Sequence, residues 1–411
     1  MAALFNDRIL VSIDIGTTKI CVLVAQCLDN DHVEIIGMGK APSEGLKKGI
    51  VVDIAKTVHS IRTAVKEAEL MAGITIESAS IGISGSHIHA TSSQAMIPIK
   101  NGEIRQADID TVLAAARAVP LTEDQHVLHV LPQYFVIDGR EKVHNPLGMH
   151  GVRLEVQAHI ISGALASVHN LIKCTENAGV KVADIILEPI ASAAAVLSPD
   201  EKELGVAVLD IGGGTSDLAV YQNGSLCHTY VLPVAGNHFT NDLAVGLRTS
   251  LKEAERIKKE YGAVIIDADQ ADHELQVGLA DGVATRMITL AESTAIVHAR
   301  ASELLALVHD EIIKHQLTPF MPAGLVLTGG GSLLGCIEEL ANQIMRVPVR
   351  IGVPRIAYDL PESLIDPRYA TGYGMLLYAL KKQQTELTGS QNGPLYKRLL
   401  SRMKSWVSDF F

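Results

Sequence analysis

Two widely separated segments of the chain share one pattern, in which two strands are joined by a turn that contains glycine. In the first segment, residues 8–15 (RILVSIDI) are rich in alternating, β-branched side chains. Residues 16–19 (GTTK) break this run, and residues 20–27 (ICVLVAQC) resume it. Such runs bounded by glycine predict the two strands of a β-hairpin. A third strand is predicted at 33–39.

The second segment repeats this pattern. Residues 205–211 (GVAVLDI) form its first predicted strand, residues 212–215 (GGGT) form the turn, and residues 216–222 run back. Asn223-Gly224, a strong signal for a tight hairpin turn, leads into a third strand at 226–232. A duplication on this scale predicts two related α/β domains that face each other across a cleft.

Both turns carry residue types that bind phosphate. Glycine lets the backbone approach a ligand and point successive N–H groups at one anion. Hydroxyl side chains add donors, Lys19 adds a positive charge, and Asp14 and Asp210 can hold Mg²⁺ through water. One such turn alone is more often structural, but two matched copies favour a polyphosphate site. The predicted residues are Asp14, Gly16, Thr17, Thr18 and Lys19 in one turn, and Asp210, Gly212, Gly213, Gly214, Thr215 and Asp217 in the other.

Composition limits the possible functions. A chain of 411 residues is too long for one hydrophobic core. Its net charge of -11 disfavours nucleic-acid binding, because phosphate contacts need clustered Lys and Arg. Five cysteines without a CxxC pair match neither a disulfide framework nor a zinc motif. We see no signal-peptide pattern and no apolar run long enough to span a bilayer, and we expect a cytoplasmic location.

The two turns, together with Gly329-Gly330-Gly331 after a predicted strand at 325–328, resemble the phosphate-1, phosphate-2 and adenosine motifs of the actin, Hsp70 and sugar-kinase superfamily. Within it, the chain closely resembles the FtsA family of bacterial cell-division proteins. The resemblance includes a sub-domain inserted at 84–162, the segment 235–242 (AGNHFTND) and a detached C-terminal helix. It implies an α/β, actin-like two-domain fold, with a duplicated β-sheet and flanking helices, an inserted small α+β sub-domain and a C-terminal amphipathic helix.

The same resemblance implies ATP and Mg²⁺ as ligands and adds site residues. Gly236 and Asn237 are expected beside the phosphates, and Glu255 and Lys258 are expected to contact the adenosine. Glu188 takes the position of the acidic residue that orients the attacking water in relatives. A carboxylate that caps the helix N-terminus is the alternative role for Glu188. We therefore expect at most weak ATPase activity, with ATP acting first as an assembly ligand.

The resemblance also implies a division of the chain, with crossing helices at 186–196 and 370–379 between its two halves. The expected parts are a first actin-like domain (1–83, 163–200 and 371–382), the inserted self-association sub-domain (84–162), a second actin-like domain (201–248 and 325–370), a smaller helical sub-domain (249–324), a flexible linker (383–393) and a membrane-targeting helix (394–411).

The last segment, 394–411 (PLYKRLLSRMKSWVSDFF), has the pattern of an amphipathic helix. At 100° per residue its apolar and aromatic side chains fall on one face and its charged and small polar side chains on the other. This is typical of a helix that lies in a membrane interface. A helix docked on the protein core and a helix bound in a partner's groove remain alternatives. The expected membrane-binding residues are Leu395, Lys397, Arg398, Leu399, Arg402, Met403, Trp406, Phe410 and Phe411.

The expected function is that of an ATP-binding, self-associating membrane tether at the cytoplasmic face of the bacterial inner membrane, at midcell. By resemblance, its partners are the C-terminal tail of FtsZ, other copies of itself, anionic lipids and other division proteins, with no nucleic acid. A small-molecule kinase and a pilus-assembly relative share the fold and are the alternatives. The sixteen histidines are interpreted as ordinary surface or core residues; His126 and His129 differ by three in an extended stretch, and His87 and His89 lack a third ligand.

Overall fold

The first predicted hairpin forms as its sequence pattern indicates. In the computed structural model, which describes residues 9–28, 33–280, 283–355 and 360–389, β1 (Ile9–Ile15) runs antiparallel to β2 (Lys19–Cys27). Almost every residue of β1 and β2 is buried, because helices and neighbouring strands cover both faces. The elements that follow are β3 (Val33–Pro42), β4 (Leu46–Lys47), β5 (Ile50–Val51), α1 (Ile54–Ala72) and β6 (Ser78–Ile83).

The predicted insertion forms an antiparallel sheet with one helix across it. Its elements are β7 (Ile88–Pro98), α2 (Gln106–Arg117), β8 (Gln125–Ile137), β9 (Lys142–Val143) and β10 (Arg153–Ala164). The strand order is β7-β10-β8-β9. Alternate residues of β10, from Leu154 to Ile160, are fully buried and pack with Val112 and Ala116 of α2. The sheet therefore has its own small core on the face covered by the helix.

The chain then returns to the first half and crosses to the second. The crossing elements are α3 (Leu165–Asn177), β11 (Lys181–Leu187), α4 (Glu188–Val196) and α5 (Pro199–Leu204). The second predicted hairpin follows as β12 (Val206–Ile211), β13 (Ser216–Gln222) and β14 (Ser225–Leu232). Asn223 and Gly224 both have positive φ, at 49° and 71°, as the tight turn between β13 and β14 requires.

The remaining elements complete the second half. They are α6 (Gly236–Leu247), α7 (Leu251–Tyr261), β15 (Glu274–Gly278), β16 (Thr285–Thr289), α8 (Leu290–Lys314), β17 (Leu325–Thr328), α9 (Ile337–Met345), β18 (Val349–Ile351) and α10 (Ala370–Gly389), with short 3₁₀ turns at Thr318–Phe320, Gly330–Leu333, Glu362–Leu364 and Pro367–Tyr369. The segment 249–324, expected to be mainly helical, also contains the β15–β16 hairpin.

The two main sheets have the same topology. The first has the order β3-β2-β1-β6-β11 and the second the order β14-β13-β12-β17-β18. In each sheet three antiparallel strands are followed by two strands that run parallel to the central one. The duplication read from the sequence is therefore confirmed, and with it the actin-like fold class.

Helices α4 and α10 cross between the two halves at a contact of small residues. A Cβ atom added to Gly374 of α10 would lie 1.8 Å from the carbonyl oxygen of Ala191 in α4. The two backbones therefore lie directly against each other. We call this contact the α4–α10 seam.

The structure differs from the sequence-based assignment at the end of α10. That helix continues to Gly389, so residues 383–389 are helical where a linker was predicted at 383–393. Gln, Glu, Leu and Lys are good helix formers and extend the preceding helix as far as the glycine. Among the helices that the structure describes, none is long and apolar enough to cross a bilayer.

The inserted sheet packs against the edge strand of the second sheet. The Gln133 side-chain amide donates hydrogen bonds to the carbonyls of Leu226 and Cys227, at 3.2 and 3.1 Å. The Ser225 hydroxyl donates to the Gln133 carbonyl at 2.9 Å. His159 of β10 bonds the Thr229 hydroxyl at 2.9 Å. Strand β14 is thus held from the side of the insertion.

Candidate functional site

The two glycine turns face each other at the centre of the molecule. Each is closed by the same backbone bond, from Gly16 to Lys19 at 3.1 Å and from Gly212 to Thr215 at 3.0 Å. A Cβ atom added to Gly213 would lie 2.4 Å from Cγ2 of Thr18. Glycine therefore permits the close approach of the two turns that the sequence predicted.

The glycines of the second turn also contact the start of α6. The backbone N–H groups of Gly236 and Asn237 donate to the carbonyls of Gly212 and Gly213, at 2.9 and 2.8 Å. The N-terminal end of a helix carries a partial positive charge. The structure thus brings Gly236 and Asn237 to the second turn, as expected, and places a helix N-terminus at the cleft.

Four carboxylates lie beneath the turns. Asp14, Asp210 and Asp217 are 8%, 7% and 3% exposed, and partly buried Glu188 lies near them. The hydroxyls of Ser192 in α4 and Thr371 in α10 donate to Asp210 at 2.5 and 3.0 Å. Because one hydroxyl comes from each crossing helix, Asp210 is bonded to both sides of the α4–α10 seam.

Asp217 is held by a second pair of hydroxyls. Ser84, at the end of the first sheet, donates to one carboxylate oxygen at 2.5 Å, and Thr215 donates to the other at 3.2 Å. The bond from Ser84 joins the first half of the molecule to the second. The hydroxyls of Ser84, Ser192 and Thr371 were not identified from the sequence, since nothing local marks a Ser or Thr that meets a carboxylate from another element.

Burial and mutual repulsion disfavour the ionised forms of these acids. Burial raises the pKa of Asp14 to about 6, with Lys19 opposing the shift and Asp210 adding to it. Burial also raises the pKa of Asp217 to about 7, which its hydrogen bonds from Ser84 and Thr215 moderate. The pKa of Asp210 is raised by burial as well. The cluster has an excess of negative charge that a cation would relieve.

The pKa of Glu188 is raised in the same way. Burial, together with Asp14, Asp217 and Asp210, raises its pKa well above the ordinary value. It is the first residue of α4, and its side chain makes no capping hydrogen bond there. Its carboxylate has no hydrogen-bond partner among the described residues and lies next to Gly82, where an added Cβ would be 3.3 Å from Oε1. Glu188 thus lies both in the first turn of α4 and beside the other carboxylates of the cleft.

Lys19 reaches across the cleft to the other half. Its ammonium group donates to the carbonyl of Arg368 at 2.6 Å and lies 4.3 Å from the ring centroid of Tyr369. Lys40 also lies over that ring, at 4.6 Å. Lys40, Arg368 and Tyr369 were not predicted. Lys19 is thus close enough to Asp14 and Asp210 to lower their pKa values.

Glu255 and Lys258 form a small network with α6. Lys258 pairs with Glu255 at 2.7 Å and donates to the Gly236 carbonyl at 3.1 Å and the Thr240 hydroxyl at 2.8 Å. The Thr240 hydroxyl donates to Glu255 at 2.5 Å. The structure therefore brings Glu255, Lys258 and Gly236 together. Gly236 is also bonded to Gly212 of the second glycine turn.

The third glycine motif packs on the second turn. Gly329 follows β17 with φ 79° and ψ 173°, and a Cβ there would lie 2.2 Å from Oδ1 of Asp210. A Cβ on Gly331 would lie 2.2 Å from Cγ2 of Ile211. Gly330 has only Arg368 within 4 Å of its added Cβ. Gly329 to Gly331 thus line the same cleft as both turns.

The predicted membrane-binding residues of 394–411 lie outside the described residues. The other predicted site residues are described, and the structure brings them around one cleft between the two main sheets. The nearest side chains there are carboxylates, hydroxyls and lysines rather than a set of His and Cys ligands.

Two family models match the chain. The model described as cell division protein FtsA matches residues 207–374, and the model described as the SHS2 domain inserted in FtsA matches residues 85–162. The second match coincides with the inserted sheet of β7 to β10.

The chain is also similar to curated proteins and solved structures. Cell division protein FtsA of Pseudomonas aeruginosa is 42% identical over 417 residues, which cover 100% of both chains. The PilM-PilN type IV pilus biogenesis complex is similar at a TM-score of 0.65 and 17% identity, covering 90% of this chain and 98% of that one. MreB5 of Spiroplasma citri, bound to ADP, is similar at a TM-score of 0.57 and 16% identity, covering 94% and 99%.

The two structural similarities show the actin-like fold alone, since their sequence identities are low. The identity to the Pseudomonas protein is evidence for the family as well as the fold, because it extends over the full length of both chains. Together with the two family models, it shows that this actin-like chain belongs to the FtsA family of bacterial cell-division proteins.

Proposed function

We propose that the chain binds ATP with Mg²⁺ between its two glycine turns, and that this binding controls its assembly as a membrane tether of the division ring. The observation that carries the proposal is the meeting of two matched turns above a group of buried carboxylates. Backbone N–H groups in the turns and at the start of α6 are suited to phosphate oxygens. Asp14 and Asp210 are suited to hold Mg²⁺ through water, which that ion releases reluctantly.

The charges in the cleft favour a ligand in which a polyphosphate and Mg²⁺ are bound to each other. The cleft holds four carboxylates, and the raised pKa values of Asp14, Asp217 and Glu188 indicate that their charges are poorly compensated. A free polyphosphate would be repelled by these groups, whereas its magnesium complex carries its own positive charge to them. We therefore infer that nucleotide and Mg²⁺ bind together.

Glu255 and Lys258 are proposed as adenosine contacts and Glu188 as the group that orients water. The network of Lys258 with Gly236 and Thr240 links the proposed adenosine contact to the proposed phosphate contact. Raising the pKa of a carboxylate makes its ionised form a stronger base but leaves a smaller share of the group ionised and ready to accept a hydrogen bond from water. Slow turnover fits a protein in which ATP serves assembly first.

The membrane part of the proposal rests on the sequence of 394–411. Lys397, Arg398, Arg402 and Lys404 add about 1 kcal/mol each near an anionic surface, and the apolar face adds more. Ordering a helix opposes this gain, so one segment binds reversibly. Several segments joined in a polymer bind firmly through avidity. Self-association through the inserted sub-domain therefore converts weak anchors into firm attachment.

The partners proposed for the assembled protein are the C-terminal tail of FtsZ, bound within 249–324, anionic lipids and other division proteins. The proposed location is the cytoplasmic face of the inner membrane at midcell. Family membership supports the role in division. The protein would then connect the ring to the membrane and help recruit further components.

Co-sedimentation with anionic vesicles tests the proposal. The full chain is compared with a chain that ends at Gly393, each with and without ATP–Mg²⁺. We expect the full chain to pellet with the vesicles, more so with ATP–Mg²⁺, and the truncated chain to stay in solution. Pelleting of both chains would refute the anchor at 394–411. Pelleting of the full chain that does not respond to nucleotide would refute the coupling to ATP.

A further inference from the structure

His228, Glu311 and His315 form a cluster that includes none of the cleft residues. Nε2 of His228 and Nε2 of His315 each lie 3.1 Å from Oε1 of Glu311. The two imidazole centroids are 4.6 Å apart, with their planes tilted by 34°. One ligand atom from each of the three side chains lies within 4.8 Å of the other two.

Two elements bring these side chains together. Glu311 lies in the last turn of α8, and His315 is the residue that caps its C-terminus, with its N–H bonded to the Glu311 carbonyl at 3.1 Å, so the two side chains lie on one side of the helix end. His228 lies on the edge strand β14, where successive side chains point to opposite faces. Thr229 contacts the inserted sheet through His159, so its neighbour His228 points the other way, toward α8.

The cluster has the composition and spacing of a transition-metal site. Two imidazole nitrogens and one carboxylate oxygen are a common ligand set for catalytic zinc, with a fourth position open to water. Ligands about 2.0 Å from a tetrahedral ion lie about 3.3 Å from each other. The two nitrogen–oxygen separations of 3.1 Å are close to this distance, and the two imidazole nitrogens lie within 4.8 Å of each other.

The exposure of the three side chains and the position of the nearby lysine would allow an ion to enter the cluster from solvent. Glu311 is 8% exposed and His228 is 15% exposed, whereas His315 is 42% exposed and gives access from outside. Lys314 approaches the other carboxylate oxygen, Oε2, at 3.7 Å and is itself 71% exposed. Oε1, which faces both imidazoles, is left for the metal.

We propose that His228, Glu311 and His315 bind one divalent transition-metal ion, with Zn²⁺ as the probe, and that the ion fastens the edge strand β14 to the C-terminal end of α8. In the metal-free protein each imidazole donates its Nε2–H to Glu311; when the ion binds, each ring changes tautomer, its proton moving through solvent from Nε2 to Nδ1, and the ion takes both Nε2 atoms and Oε1 of Glu311. Because Thr229 holds the opposite face of β14 to the inserted sheet, the bound ion stiffens a strand that both neighbours contact. The site is independent of the proposed nucleotide cleft.

Zinc titration of the chelator-treated full chain, without nucleotide and in competition with a chromophoric chelator, tests the site. Two variants remove one ligand each, His228→Gln and His315→Gln. His309→Gln, on the same helix but outside the cluster, is the matched control. Thermal unfolding without metal establishes that each variant is folded. Cobalt replaces zinc in a parallel titration, because its visible absorption reports tetrahedral coordination.

We expect the wild type and His309→Gln to bind one Zn²⁺ with the same affinity and to unfold at a higher temperature when it is bound. We expect each ligand variant to bind Zn²⁺ at least tenfold more weakly and to lose the tetrahedral Co²⁺ absorption. The proposal is overturned if the wild type binds no Zn²⁺, or if both ligand variants bind it as tightly as the control does. A folded His228→Gln that loses the site while vesicle binding is unchanged would separate this site from the proposed tether.

Discussion

Gly329 shows how one residue position constrains the cleft. Its φ of 79° and ψ of 173° fall in a region that is essentially restricted to glycine. A side chain there would also meet the carboxylate of Asp210 and the carbonyl of Ile211, at 2.2 and 2.7 Å. The sequence marked this position as part of a glycine motif, but the conflict with Asp210 depends on a contact between distant parts of the chain.

We expect Gly329→Ala to lower the free energy of unfolding by at least about 3 kcal/mol, because it combines backbone strain with a steric conflict. Gly102→Ala is the control, since Gly102 has a similar φ of 74° and nothing within 4 Å of an added Cβ. In that control only backbone strain applies, so we expect the free energy of unfolding to fall by about 1–2 kcal/mol. Urea denaturation followed by circular dichroism measures both; equal losses would contradict the conflict with Asp210.

Glu188 gives a pH dependence whose sign follows from its raised pKa. The ordinary pKa is 4.5, and burial with three neighbouring acids raises it well above that in the folded protein. The unfolded chain therefore ionises first as pH rises. The ionised form is disfavoured in the folded state, so the wild type loses stability from about pH 4.5 upward through the folded pKa.

We expect Glu188→Gln to stabilise the nucleotide-free protein by about 1–2 kcal/mol at pH 8 and by much less at pH 5, where the folded glutamic acid is already protonated. Urea denaturation at the two pH values measures the difference. Added Mg²⁺ should reduce the stability difference between wild type and Glu188→Gln at pH 8, because the cation compensates the charge of the Glu188 carboxylate. A gain in stability that is the same at both pH values would argue against an ionised, uncompensated Glu188.

At the scale of elements, the sequence was most informative where structure is decided locally. The alternation of β1, β2, β12 and β13, and the Asn223-Gly224 turn, predicted strands that the structure contains. The segment from Gly236 to Tyr261 forms two helices, α6 and α7, rather than one. Arg248 adopts φ 51°, and the Ser250 hydroxyl accepts from the N–H of Glu253 to start α7. The Ser250-x-x-Glu253 spacing was a local signal for this second start.

The network between α6 and α7 carries a prediction for nucleotide binding. Lys258→Gln removes the ion pair to Glu255 and the bonds to Gly236 and Thr240, so we expect ATP–Mg²⁺ affinity to fall at least about tenfold, as loss of charged hydrogen bonds implies. Lys259→Gln is the control, because Lys259 is 71% exposed and pairs with the same Glu255 at 3.2 Å. Calorimetric titration measures both; an equal effect of the two changes would count against a specific role for Lys258.

At the scale of the whole molecule, the duplicated topology was predictable from the repeated hairpin, but the contacts between the halves were not. Ser84 reaches Asp217, Thr371 reaches Asp210, and His228 reaches Glu311, each over more than eighty residues of sequence. The spacing of apolar residues along the sequence carries no information about such contacts. They follow only once two sheets, an insertion and two crossing helices are packed together.

The α4–α10 seam has a mechanical consequence. Gly374 lies directly on the backbone of Ala191, so no side chain stands between α4 and α10 at this point, and we expect the two halves to rotate about it. The hydroxyls of Ser192 in α4 and Thr371 in α10 connect this point of rotation to Asp210 in the cleft. Small rotations at the pivot become larger displacements at the cleft mouth. In the proposed polymer, tension from a neighbouring subunit would therefore move the two glycine turns apart or together and so change the affinity of the proposed nucleotide site.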